Sequence, residues 1–75
     1  MQIYRNSGKD SGVKRYEIGN DYIRVEFGFG STYLYTNSSA GEQVINEMKR
    51  LAVLGEGLNA YINTTVKKKY ERKEA

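Results

Sequence analysis

Cysteine and histidine are both absent from this chain, which removes many of the side chains on which enzymes rely. Without thiols there is no disulfide framework and no thiolate metal site, and without imidazoles the commonest general base and metal ligand is missing. Nine acids remain, but they show no ligand-like clustering, and isolated carboxylates bind divalent cations weakly. Glu17 and Glu26 fall on neighbouring expected strands, yet both alternate with apolar positions and so should point to solvent, where nothing tunes their acidity. The composition therefore points away from an enzyme and calls for no metal and no cofactor. No apolar run approaches the roughly 18 to 20 residues that a membrane-spanning helix needs, and the first residues lack the apolar stretch of a secretory signal. With no disulfide to form, the cytoplasm is the expected compartment.

What is present is aromatic. Seven tyrosines and two phenylalanines in 75 residues suit a single small domain, because a chain of this length buries only about 60% of the surface its unfolded form exposes and gains most from large side chains. The net charge of +3 is unevenly placed: residues 1–60 hold seven cations and seven acids, whereas residues 61–75 hold five cations and two acids. A neutral body with a cationic end has a directional field that attracts phosphate. Lysines at the end of a helix also favour its macrodipole, so the same residues read as a solvated helix terminus.

Along the chain, residues 5–12 are polar and turn-prone, and the segment 1–12 reads as a flexible end or a short edge strand around Ile3. From Val13 the pattern has period two, with Tyr16 and Ile18 on one face, and Gly19, Asn20 and Asp21 supply a tight turn. Residues 22–27 place Ile23, Val25 and Phe27 toward the core and Tyr22, Arg24 and Glu26 away from it. Gly28, Phe29, Gly30 and Ser31 then reverse the chain. They lack the following helix N-terminus that a phosphate-cradling loop requires, so a hairpin turn is the expected role. Residues 32–36 are β-branched and aromatic, with Tyr33 and Tyr35 sharing a face. Ser39 and Glu42 have capping-box spacing, and Val44, Ile45, Met48, Leu51 and Ala52 form the apolar stripe of a helix ended by Gly55. A second helix is expected from Leu58 to Val66 or beyond, with Leu58, Tyr61, Ile62, Val66 and Tyr70 as its stripe. The expected fold is α+β: an antiparallel meander of three to four strands followed by two helices packed on one face.

Tyr33 and Tyr35, followed at a distance by Tyr61, Asn63, Val66 and Tyr70, resemble the KTSC domain family, whose pattern joins a central Tyr-x-Tyr to a closing Tyr-Phe-Asn-x-x-Ile-x-x-x-Tyr. Ile62 stands here for the phenylalanine, and Ser39 replaces as helix starter the proline of many members, since this chain has no proline. The resemblance spans residues 13–70 and leaves 71–75 as a charged tail. It implies a small module found alone in bacteria and phages or attached to a lysyl-tRNA synthetase, with RNA as its implied partner.

Two functional expectations follow. In the first, a basic C-terminal helix binds RNA or single-stranded DNA, with Lys67, Lys68, Lys69, Arg72 and Lys73 on phosphates and Tyr33 and Tyr35 offered to unpaired bases. Engagement of about four cations would give a log-log salt slope of roughly −3. For Tyr33 and Tyr35 the stronger reading is as core residues of a small sheet, and for Asn63 a structural hydrogen-bonding role is favoured over a base-edge contact. In the second, a sheet face bearing Tyr22, Arg24 and Leu34 docks a protein partner or a second copy of the chain.

Overall fold

A computed structural model describes residues 1–6 and 12–75. Five antiparallel strands lie side by side in chain order: β1 (Gln2–Ile3), β2 (Val13–Ile18), β3 (Tyr22–Phe27), β4 (Thr32–Thr36) and β5 (Arg72–Lys73). Between β4 and β5 the chain forms α1 (Asn37–Ala40), α2 (Glu42–Leu54) and α3 (Leu58–Tyr61), the last continuing into a π-helical turn over Ile62–Val66. The architecture is α+β, with five strands where three to four were expected. Much of the turn-prone stretch expected over residues 5–12 lies outside the described residues.

The two central hairpins form where turn chemistry and alternation agree. Ile18 faces Ile23 across the first, and the Gly19 N–H donates to the Tyr22 carbonyl at 3.0 Å. In the second, the Gly30 N–H donates to Phe27 O at 2.9 Å and Gly30 takes φ +99°, the conformation that lets a three-residue loop rejoin its strand. Strand β2 contains a bulge: Val13 pairs with Phe27 and Arg15 with the adjacent Glu26. The extra residue shifts the alternation, so Val13 enters the core although it is an odd number of positions from Tyr16, which packs against the same core.

One sheet face and the helices enclose Val13, Ile23, Val25, Phe27, Tyr35, Ile45, Met48, Leu58, Ile62 and Val66. Helix α2 contributes Ile45, Met48, Leu51 and Ala52, a helical repeat that keeps one face inward. Near the N-terminus, Tyr4 is buried and its hydroxyl accepts the Leu58 N–H at 3.2 Å, satisfying a donor that the start of α3 would otherwise leave open.

The helix boundaries differ from expectation. The capping box is formed by Thr36 and Ser39, with Ser39 N–H to Thr36 Oγ1 at 3.0 Å and Thr36 N–H to Ser39 Oγ at 3.1 Å. It opens the short α1, and Gly41 at φ +95° ends that turn and starts α2 at Glu42. The second helix does not reach Tyr70. The Thr64 hydroxyl bonds back to Ala60 O at 2.8 Å, a competition that loosens helices, and the Lys67 N–H closes the π turn on Ile62 O at 2.5 Å. Lys67 then takes φ 51° and ψ −120°, and the helix stops. Residues 71–75, expected as a tail, return to the sheet, where β5 pairs Tyr33 with Lys73 and Leu34 with Arg72.

Candidate nucleic-acid interface

The π turn and the strands it covers frame a cleft of about 700 Å³. Its aromatic wall comes from β3, β4 and the segment after the π turn: Phe27, Phe29, Tyr33, Tyr35 and Tyr70. Asn59, Asn63 and Lys67 contribute from the opposite side with helical spacing of four residues, and Lys68 adds a second cation. Ile62 and Val66, also four apart, take the inward face of the same turn and anchor it in the core.

The rings form a continuous chain. Phe27 stacks on Phe29 at 5.4 Å and meets Tyr33 edge-on at 5.7 Å; Tyr33 lies 4.7 Å from Tyr70, which meets Tyr35 edge-on at 6.2 Å. The two halves of the tyrosine pattern, distant in sequence, therefore touch. Phe29 is 74% exposed at the rim, an unusual position for a phenylalanine. Tyr35 is only 2% exposed, and burial, with the nearby Tyr33 and Tyr70 phenols adding, pushes its hydroxyl well above the ordinary tyrosine value. Among the described residues the Tyr35 hydroxyl and the side-chain amides of Asn59 and Asn63 make no protein hydrogen bond but are not buried unpaired groups; the buried side-chain polar atom without a partner is Asn37 Oδ1, away from the cleft lining.

The five C-terminal cations separate. Lys67 and Lys68 line the cleft, whereas Lys69 follows them on a segment held by its carbonyl, which accepts the Ser39 hydroxyl at 2.8 Å. None of these three lies on a helix, so the expected basic C-terminal helix is an exposed loop after a helix, its geometry set by the positive φ of Lys67. Lys73 is in register with Tyr33 on β5, beside the aromatic wall but not among its lining residues. Arg72 is directed elsewhere, pairing with Glu71 at 3.3 Å and Glu74 at 3.1 Å. Among the described residues Lys67, Lys68, Lys69 and Lys73 form no ion pair.

The outer sheet face is already paired with itself. Arg24 reaches Glu74 at 2.7 Å and Glu17 at 3.1 Å and lies over the Tyr22 ring at 4.9 Å, while the Tyr22 hydroxyl donates to Glu17 at 2.8 Å. Arg15 and Glu26 form a further two-pronged pair. Leu34, expected to be exposed on this face, is 5% exposed, flanked in register by Arg24 and Arg72. Long arginine stems shield apolar neighbours in this way. Glu17 and Glu26 do occupy the outer face, but as partners of arginines.

Phe29 and Asn59 escaped the sequence reading. Asn59 carried a signal, its four-residue spacing from Asn63 and Lys67; Phe29 looked like part of a turn because its partners come from other strands. Among the described residues no three acids gather as a metal-binding group, and no helix is long and apolar enough to cross a membrane. The cleft brings aromatic rings, side-chain amides and two lysines together in one place. Comparison of the chain with family models, curated proteins and solved structures finds no match.

Proposed function

We propose that the domain binds single-stranded nucleic acid, RNA in the first instance, by laying unpaired bases against the aromatic cleft while Lys67 and Lys68 meet the backbone phosphates. The observation that carries this reading is the meeting of five aromatic rings around one cleft with two lysines that form no ion pair among the described residues. Aromatic faces accept any base, and lysines supply the sequence-independent attraction. Duplex is the poorer ligand, because its bases cannot reach the rings without unstacking. The module acts without catalysis, in the cytoplasm. The contact of Tyr33 and Tyr35 with Tyr70 also supports kinship with KTSC domains, since it gives both halves of that pattern one physical purpose.

Fluorescence anisotropy with single-stranded RNA and DNA at two salt concentrations tests the reading. If Lys67 and Lys68 alone are engaged, the log-log slope should be roughly −1.4, at about −0.7 per contact. Phe29→Ala should weaken binding about tenfold with little change in thermal midpoint, because stacking contributes about 1–3 kcal/mol per base and this ring is largely exposed. Binding that ignores salt and Phe29 but is lost in Tyr22→Glu would replace this reading with protein docking on the outer face.

A further inference from the structure

We infer that the sheet edge at β1 is a self-association surface, on which a second copy of the chain adds its own β1 antiparallel about a two-fold axis. The surface shares no lining residue with the aromatic cleft, so the inference is independent of the nucleic-acid reading.

The two edges of the sheet differ in chemistry. Strand β5 consists of Arg72 and Lys73, both exposed and flanked by Glu71 and Glu74, and charge of this kind keeps an edge from pairing with another chain. Strand β1 has no such protection, since Gln2 and Ile3 lie between Met1 and Tyr4. The Tyr4 N–H donates to Lys14 O at 3.0 Å, so the alternation of an antiparallel pair turns the N–H and C=O of Ile3 to the open side. Among the described residues no strand lies beyond them.

Apolar surface gathers at the same edge. Six large apolar side chains are exposed among the described residues, and four of them, Met1, Ile3, Ile18 and Val53, border β1. Ile3 is the most exposed of the six, at 75%. Two grooves flank the strand, one of about 410 Å³ that reaches Ile18 and Val53 and one of about 390 Å³ beside Ile3, and Met1 lines both.

Charge along this strip selects a second copy as the occupant. Glu17, which also pairs with Arg24, lines the groove at the Met1 end. Lys14 lies opposite Tyr4 at the other end and forms no ion pair among the described residues. A two-fold axis at Ile3 exchanges the ends, so the acid of one copy lies toward the lysine of the other. The two Ile3 residues then exchange both backbone hydrogen bonds and pack side by side. Because β5 is guarded by charge, pairing closes at two copies instead of continuing into a filament.

Sedimentation equilibrium of the full chain from about 1 µM to about 1 mM, the range in which small interfaces dissociate, should show monomer in equilibrium with dimer. Ile3→Pro removes the outward donor without touching a bond to β2, and Ile3→Lys puts a charge at the central contact. Each should weaken dimerisation about tenfold or more, with the thermal midpoint of the dilute monomer little changed. The lysine variant keeps the test open if proline disturbs the strand. Tyr22→Glu, on the outer sheet face, should leave the dimer intact. A chain that stays monomeric throughout the range overturns the inference, as does a dimer that survives both Ile3 variants or an assembly that grows beyond two copies.

Discussion

Lys67 holds φ 51° and ψ −120°, a conformation that glycine adopts without penalty and a residue with a Cβ does not. Its side chain lines the cleft, so the strained backbone coincides with a cation of the proposed interface. Lys67→Gly should therefore raise stability by about 1 kcal/mol, which shifts the thermal midpoint of a domain this size by about 4–8 °C, whereas Lys67→Ala keeps the strain and should not. Both variants should weaken RNA binding and flatten the salt slope by about 0.7. Equal melting temperatures for the two variants would remove strain from the account. Tyr35 gives a second test at this scale. Its phenol is harder to ionise in the folded state, so the unfolded chain loses that proton first; the associated stability is present below the ordinary value near pH 10 and is lost as pH rises beyond it. Melting at rising alkaline pH should show this decline, and Tyr35→Phe should make it shallower.

At the scale of elements, Gly55 shows how the end of α2 meets the N-terminal segment. It takes φ +87° as the residue after the helix, its N–H donates to Leu51 O at 2.9 Å, and a Cβ there would stand 2.7 Å from the Arg5 Cβ. Gly55→Ala combines backbone strain with displacement of Arg5, and should lower stability by about 1–3 kcal/mol in a thermal or urea melt. The strands β2, β3 and β4 and the stripe of α2 were legible because local periodicity and turn residues agree with the tertiary fold. Strand β5 was not, since Arg72 and Lys73 have no apolar alternation and become a strand only through the β4 edge. The helix start was misplaced by one capping box because Ser39 caps backward to Thr36 as readily as forward to Glu42. In the site, Tyr33, Tyr35, Asn63, Lys67 and Lys68 were visible as candidates. Their convergence with Phe29 and Asn59 depends on the π turn and the hairpin, which no local pattern encodes.

For the whole molecule, charge is sorted by place: five acids, Glu17, Glu26, Glu47, Glu71 and Glu74, pair with arginines, and among the described residues the C-terminal lysines have no such partner. Hydrogen bonds from Arg15, Arg24 and Arg50 hold the Glu26, Glu74 and Glu47 carboxyls below their ordinary value, Arg72 adding to the effect at Glu74. Because these folded-state values are depressed, the stability they contribute is present above the usual carboxylate range near pH 4 and is lost as pH falls below it. At that point the chain also becomes strongly cationic, since its 12 lysines and arginines keep their charge. Salt should consequently act with opposite sign at the two ends of this range. At about pH 7 added salt screens the exposed pairs and lowers the thermal midpoint slightly; at about pH 3 the pairs are gone, and salt raises the midpoint by screening repulsion. Melting curves at both pH values, each in low and high salt, provide the measurement. A salt effect of the same sign at both would mean that the arginine–carboxylate pairs contribute little to the fold, and that the sorting of charge matters for ligand attraction alone.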